Sequence, residues 1–197
     1  MSIELGTSNI LAIDVGNTRV KWGLFNTAGV MLEQGDCLNA DLATAVLPDA
    51  TRVVISNVAG NAIQAQLTSL LSKSTATIHW IRAQANACGV NNGYDKPATL
   101  GTDRWAALIA AWHIKQAPCV VVNAGTAVTI DALSMPPHNN YGGNNQTGNK
   151  NQAEFIGGLI LPGLNLMQHS LGHATALLPK LNPNHNPTPQ PHGSHFC

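Results

Sequence analysis

The sequence predicts an α/β protein with mixed strand pairing, organised as two related domains. Short apolar strands alternate with helical patterns along the chain, which is typical of α/β architecture. At residues 11–25 an apolar strand leads into a polar turn and a second strand, and a similar unit recurs at residues 120–131. Two such strand–turn–strand units suggest domains that face each other across a nucleotide, with each turn holding one side of a triphosphate.

The first polar turn contains Asp14, Gly16, Asn17 and Thr18. Gly16 can adopt a positive φ and lets the backbone approach a ligand closely. Backbone N–H groups of such a turn can bind phosphate oxygens, and the Asp14 carboxylate can hold a magnesium ion directly or through water. Taken alone, a turn of this composition is more often structural, because Asn, Gly and Asp are ordinary hairpin residues. The similar turn around Gly125 favours the functional interpretation.

The first half of the chain contains short strands and helices in alternation. The strands that we predict here cover residues 10–15, 20–25, 30–35, 52–58 and 77–81. A short helix is predicted over residues 41–47, with Asp41 at its N-cap. A longer helix is predicted over residues 61–72, because its apolar side chains recur at helical spacing.

A strong helical pattern follows Gly101. Trp105, Leu108, Ile109 and Trp112 fall at i, i+3, i+4 and i+7 and form one apolar stripe. Thr102 suits the N-cap position, which places Asp103 in the first turn. On these grounds alone, the favoured role of Asp103 is structural: its carboxylate interacts favourably with the positive end of the helix dipole and need not take part in catalysis.

We place a domain boundary after residue 117, between this helix and the second strand–turn–strand unit. The N-terminal domain then covers residues 1–117, and a C-terminal domain, which we expect to be incomplete, covers residues 118–180. Residues 134–153 are rich in Asn, Gly and Pro, which predicts a mobile insertion. Of the two interpretations of this insertion, a solvated loop is simpler than a lid. Residues 155–163 predict a strand that leads into a helix, and the proline-rich residues 181–197 predict a disordered tail.

Composition excludes several classes of function. The chain has 197 residues, of which 44% are hydrophobic and only 10% charged, and its formal net charge is zero. We therefore expect no nucleic-acid surface and no basic membrane patch. The four cysteines are widely spaced without a C-x-x-C pair, and no signal peptide or membrane-spanning stretch is evident, so we expect a cytoplasmic protein.

Four motifs occur in a recognisable order. They are residues 14–18, the pattern Tyr94-x-x-Pro97-x-x-Leu100-Gly101-x-Asp103-Arg104, residues 125–127, and the pattern Gly157-Gly158-x-Ile160-x-Pro162-Gly163. In order and spacing the chain resembles type III pantothenate kinase from Leu11 to about Pro179. The resemblance implies two ribonuclease-H-like domains of the actin-like ATPase superfamily, with mixed β-sheets flanked by helices. It also implies transfer of the γ-phosphoryl group of ATP to pantothenate, the first step of coenzyme A synthesis, by a homodimer.

The resemblance further implies roles for individual residues. Asp103 matches the general base, and Asp14 matches the carboxylate associated with magnesium. The ATP-binding positions are Asp14, Val15, Gly16, Asn17, Thr18, Arg19, Val20, Lys21 and Thr126. The pantothenate-binding positions are Tyr94, Gly101, Thr102, Asp103, Arg104 and Thr175. Arg104 would bind the carboxylate of pantothenate through its guanidinium fork, and the alternative is a salt bridge to a neighbouring side chain.

Two positions depart from the family pattern. Asn123 occupies a position where the family has an aspartate that helps to bind a monovalent cation, potassium or ammonium. An amide lacks the negative charge, so we expect a weak or absent potassium requirement. After residue 179 the sequence leaves the family pattern for an Asn- and Pro-rich stretch, which is the reason to expect an incomplete second domain.

Other functions remain open at this point. A regulatory protein, such as a transcription accessory factor, could use the same fold without turnover, although the low charge argues against direct contact with DNA. Another small-molecule kinase or ATPase of the superfamily would share both phosphate-binding turns. The motif at residues 94–104 distinguishes these from a pantothenate kinase, and an inactive fragment is the simplest remaining alternative.

Overall fold

The computed structural model describes residues 8–135 and 152–174. Thr175, the disordered tail predicted at 181–197 and most of the insertion predicted at 134–153 lie outside the described residues. Within the described part, the fold class is the predicted one: two mixed five-stranded β-sheets flanked by helices.

The first sheet contains the strands predicted in the first half of the chain. These are β1 (Ile10–Val15), β2 (Arg19–Phe25), β3 (Met31–Leu38), β4 (Arg52–Asn57) and β5 (Thr77–Trp80). Their order is β3-β2-β1-β4-β5, with β1 antiparallel to β2 and parallel to β4. This is the ribonuclease-H-like arrangement that the family resemblance implies. One face of the sheet packs into an apolar core that also includes the helix α1 (Asn61–Leu70).

The second sheet contains two short strands that the sequence analysis missed. They are β6 (Asn86–Ala87) and β7 (Val90–Asn92), and they join β8 (Cys119–Ala124), β9 (Ala127–Ser134) and β10 (Ala153–Pro162) in the order β6-β7-β10-β9-β8. Strands of two and three residues are too short to show a periodicity that can be recognised. β7 pairs with β10, which lies beyond residue 117, and β6 pairs with β7. The domain boundary at residue 117 stays a prediction.

The helix α2 (Thr102–Lys115) connects the two parts of the fold, and the helix α3 (Leu164–Ala174) follows β10. The predicted apolar stripe on α2 is confirmed: Trp105, Leu108 and Trp112 are buried in the core of the second sheet, together with Phe155. The opposite side of α2, which carries Asp103, Ala106 and Ala107, lines a cleft against the first sheet.

Two predicted helix starts were wrong. Gly101, not Thr102, is the N-cap of α2, because the Thr102 hydroxyl bonds to the end of β4 instead of to its own helix. The predicted helix at 41–47 is a 3₁₀ helix over Asn39–Thr44 with Leu38 as N-cap, so Asp41 lies inside it. Among the described residues, no helix is long and apolar enough to cross a membrane.

Candidate functional site

A cleft of about 810 Å³ contains both polar turns. Its walls are the outer face of the first sheet, one side of α2 and the tip of the β8–β9 hairpin. The predicted site residues that line it are Asp14, Gly16, Asn17, Thr18, Arg19, Lys21, Asp103, Asn123 and Thr126. Two sequence segments that are far apart therefore meet at one site.

The turn between β1 and β2 is held in shape by backbone and side-chain hydrogen bonds. The Gly16 N–H donates to the Arg19 carbonyl oxygen at 3.0 Å. Asn39 braces the same turn twice: its side-chain amide donates to the Gly16 carbonyl at 2.9 Å, and its backbone N–H donates to the Thr18 carbonyl at 3.1 Å. The sequence analysis missed Asn39, because nothing in its local sequence indicates a contact with a turn that precedes it by a whole hairpin.

The turn between β8 and β9 lies directly against the first one. The Gly125 N–H donates to the Ala127 carbonyl at 3.0 Å, and the Gly163 N–H donates to the Thr126 carbonyl at 2.9 Å. The hydroxyl oxygens of Thr18 and Thr126 are 3.2 Å apart. The two hairpin tips are thus close enough for one polyphosphate chain to contact both.

Asp14 and Asp103 place two carboxylates in the cleft. The Asp14 side chain opens onto the cleft, but the surrounding protein removes part of its hydration, and this desolvation raises the pKa of Asp14. The nearby Asp103 carboxylate raises the same pKa further, whereas Lys21 and a hydrogen bond with Ser56 lower it. The cleft therefore holds negative charge that its own residues only partly compensate.

The start of α2 is tied to the end of β4. The Thr102 hydroxyl lies 3.0 Å from that of Ser56 and accepts the Asn57 backbone N–H at 3.1 Å. Ser56 was not singled out from the sequence, although a polar residue that ends a buried parallel strand is a recognisable signal. The Arg104 backbone N–H donates to Asp103 Oδ1 at 2.8 Å, which orients this carboxylate.

The Arg104 side chain points towards the second sheet and does not line the cleft. It is 6% exposed and forms a salt bridge with Asp131 of β9, which is fully buried. Arg104 also donates to the Tyr94 hydroxyl at 3.5 Å, and its guanidinium lies 5.9 Å from the centre of the Phe155 ring. The structure thus shows the salt bridge left open as the alternative for Arg104, and contact with a substrate carboxylate stays a prediction.

The other predicted positions have different surroundings. Val15 and Val20 are fully buried, so only their backbone atoms could face a ligand. Arg19 forms an exposed salt bridge with Asp36 on β3. Asn123 donates its side-chain N–H to the Thr129 hydroxyl at 3.5 Å. Gly101 precedes α2 directly, and Thr175 lies beyond the part of the chain that the structure describes.

Two mixed sheets with facing polar turns and a carboxylate pair between them define an α/β protein of the actin-like ATPase class. A family model described as type III pantothenate kinase matches residues 10–194. The chain belongs to the type III pantothenate kinase family.

Curated relatives named type III pantothenate kinase agree with this assignment. The relative from Nitrosospira multiformis is 46% identical over 166 residues, which cover 82% of this chain and 57% of the relative. That from Methylobacillus flagellatus is 45% identical over 171 residues, covering 86% and 63%. That from Azoarcus is 41% identical over 188 residues, covering 92% and 65%. The chain therefore spans about three fifths of the length of these relatives.

Proposed function

We propose that this chain binds ATP in the cleft and transfers its γ-phosphoryl group to the primary hydroxyl of pantothenate. The observation that carries the proposal is the meeting of the two turns, with Thr18 and Thr126 hydroxyls 3.2 Å apart, beside the carboxylates of Asp14 and Asp103. Phosphoryl transfer needs phosphate binding, an aligned acceptor and a group that receives its proton. The cleft offers candidates for all three.

In this proposal the first turn and Thr126 bind the β- and γ-phosphates. The backbone N–H groups of Asn17 and Thr18 supply donors, and the side chains of the same two residues add polar contacts. Asp103 orients the acceptor hydroxyl and receives its proton as the new bond to phosphorus forms. Because a carboxylate is a weak base for an alcohol, alignment contributes more to the rate than basicity does.

The acceptor would lie beside the first turn of α2. Gly101 brings the backbone close to Asp103, since a methyl group at this position would lie 2.6 Å from Asp103 Oδ1. We assign Gly101 and Thr102, which lie at the start of α2, to the acceptor side of the site. The same assignment for Tyr94, Arg104 and Thr175 rests on the motif alone.

The donor set of the cleft fits a magnesium ion. Magnesium prefers oxygen ligands, and Asp14 offers a carboxylate whose ionised form is disfavoured by its surroundings, so a cation there would relieve the repulsion. A bound magnesium ion would neutralise charge on the phosphates. Asn123 keeps an oxygen for potassium or ammonium but no negative charge, so we infer at most a weak monovalent-cation requirement. We also infer a cytoplasmic homodimer from the family resemblance.

The test is ADP release by the purified chain with ATP, magnesium and pantothenate. We expect pantothenate-dependent turnover that falls about 10²-fold or more in Asp103→Asn, the range typical of a lost general base. Asp95→Asn is the matched control, because it removes an exposed carboxylate of the same motif and should leave turnover unchanged.

Three results of these experiments would contradict the proposal, each in a different way. Turnover that survives in Asp103→Asn would remove the base assignment. ATP binding without pantothenate-dependent turnover would favour a regulatory protein or another acceptor. Absence of ATP binding would contradict the nucleotide site itself.

A further inference from the structure

We propose that Asp131 is a positioning residue that holds Arg104 and thereby fixes the first turn of α2, from which Asp103 faces the cleft. Neither the motifs in the sequence nor the cleft itself points to Asp131, which lies in the core of the second sheet. The catalytic consequence rests on the proposed phosphoryl transfer, whereas the mechanical part can be measured without turnover.

The ion pair between Asp131 and Arg104 is buried and uses the edge of the guanidinium formed by Nε and Nη2. Arg104 Nε lies 3.0 Å from Asp131 Oδ2 and 3.2 Å from Oδ1, and Nη2 donates to Oδ1 as well. Asp131 is fully buried and Arg104 nearly so. A bidentate pair of this kind fixes direction as well as distance, because the planar fork fits only one orientation of the carboxylate.

The second sheet leaves a space for this pair. Gly158 of β10 lies directly opposite Asp131 in the β9–β10 register. A methyl group at Gly158 would lie 2.8 Å from Arg104 Nη2 and closer still to Asp131 Oδ1. Tyr94 and Phe155 close the other sides, with their ring centres 5.1 Å apart. The pair is therefore enclosed and cannot change its geometry without moving its neighbours.

Helix geometry links the pair to the cleft. Consecutive residues on an α-helix point about 100° apart, so Arg104 reaches the second sheet while Asp103 faces the first. The two are also joined directly, since the Arg104 N–H donates to Asp103 Oδ1 at 2.8 Å. Thr102 ties the same turn to β4. Asp131 and β4 thus hold the turn from opposite sides, and loss of either anchor would let Asp103 shift.

The kinetic test compares Asp131→Asn with Glu154→Gln, which removes a half-buried carboxylate from the same sheet. We expect kcat to fall at least about tenfold in Asp131→Asn, because small misplacements of catalytic groups are costly, while the KM values for ATP and pantothenate change little. Glu154→Gln should keep the original kcat. An unchanged kcat in Asp131→Asn, or a raised KM for pantothenate at unchanged kcat, would overturn the proposal; the second result would mean that Arg104 contacts the acceptor.

Hydrogen exchange measures the positioning itself and does not require turnover. In Asp131→Asn we expect the amides of Arg104 and Trp105, which donate to Asp103 Oδ1 and to the Gly101 carbonyl, to exchange at least about tenfold faster, while those of residues 108–112 stay protected. If the amides of this first turn exchange equally fast in Asp131→Asn and in Glu154→Gln, the proposal is overturned. If the original chain shows no turnover, the proposed reaction fails, but the exchange result still decides the role of Asp131.

Gly158→Ala provides a second route to the same answer, in case Asp131→Asn does not fold. This variant keeps both charges and displaces them, so it should reproduce the loss of kcat and the faster exchange of the first turn. A Gly158→Ala protein with the original kcat and exchange pattern would overturn the proposal.

Discussion

Gly163 is the position where a single methyl group should separate the two polar turns of the cleft. It lies between β10 and α3, and its N–H donates to the Thr126 carbonyl at 2.9 Å. A methyl group built on Gly163 would lie 2.6 Å from the same carbonyl oxygen, and the Gly125 carbonyl would be closer still. Both obstacles are backbone atoms, so no side-chain rotation can relieve the overlap.

The cost follows from the size of the overlap. Ordinary contacts of a methyl carbon begin near 3.4 Å, so the Thr126 contact alone requires the tip of the β8–β9 hairpin to move by about 0.8 Å in Gly163→Ala, and the closer Gly125 carbonyl requires more. Overpacking of this kind costs about 1–3 kcal/mol, and loss of the hydrogen bond to Thr126 adds about 1 kcal/mol. We therefore expect the free energy of unfolding to fall by about 2–4 kcal/mol, with weaker ATP binding because Thr126 moves away from Thr18.

Chemical denaturation and calorimetric titration with ATP measure the two effects of Gly163→Ala. Gly125→Ala is the matched control for stability, because a methyl group there would lie 3.8 Å from the Ala127 carbonyl, an ordinary contact. The reasoning is refuted if Gly163→Ala unfolds within about 0.5 kcal/mol of the original protein, the range usual for harmless surface changes.

Two further substitutions test the charge and the core. Asp14→Asn should raise the melting temperature at pH 7. The folded-state pKa of Asp14 lies above its unfolded value, so ionisation of Asp14 destabilises the fold as the pH rises from the unfolded pKa through the folded one. The gain should disappear below about pH 4, near the unfolded pKa, and a lower melting temperature at pH 7 would contradict it. Leu108→Ala removes a fully buried side chain of α2 and should cost about 2–5 kcal/mol in urea denaturation, whereas Ile114→Ala, on the exposed side, should cost under about 0.5 kcal/mol. Equal losses would mean that α2 does not pack as described.

Local patterns in the sequence were sufficient for the strongest elements of the fold. The β1–β2 hairpin and α2 carry their own signals, a polar turn between apolar strands and a stripe of apolar side chains at helical spacing. Strands β6 and β7 have no such signal, because they exist only through pairing with each other and with β10. Their assignment needs contacts between distant segments, which a single sequence does not contain.

The candidate site shows the same division between local and long-range information. The two turns were singled out because a similar polar turn between apolar strands occurs twice in the chain, although the composition of each turn alone is ordinary for a hairpin. Asn39, Ser56 and Asp131 were missed, because each contacts a partner that lies far away along the sequence. Thr102 was predicted as a helix cap from the local sequence, but its hydroxyl accepts a hydrogen bond from the Asn57 N–H at the end of β4. Tertiary hydrogen bonds outweighed the local preference there.

The carboxylates of the cleft give a reason to place the chemistry there that does not depend on family resemblance. Asp14 and Asp103 lie on different elements, and both desolvation and their mutual repulsion disfavour the ionised form of Asp14. An amide at position 14 would remove both costs and an amide at position 103 would remove the repulsion, so neither effect gives the free protein stability. A carboxylate with a perturbed pKa in a cleft is typical of functional sites, and a cation bound there would supply positive charge that a polyphosphate also needs. The arrangement that costs the free protein stability is therefore the one that the proposed phosphoryl transfer would use.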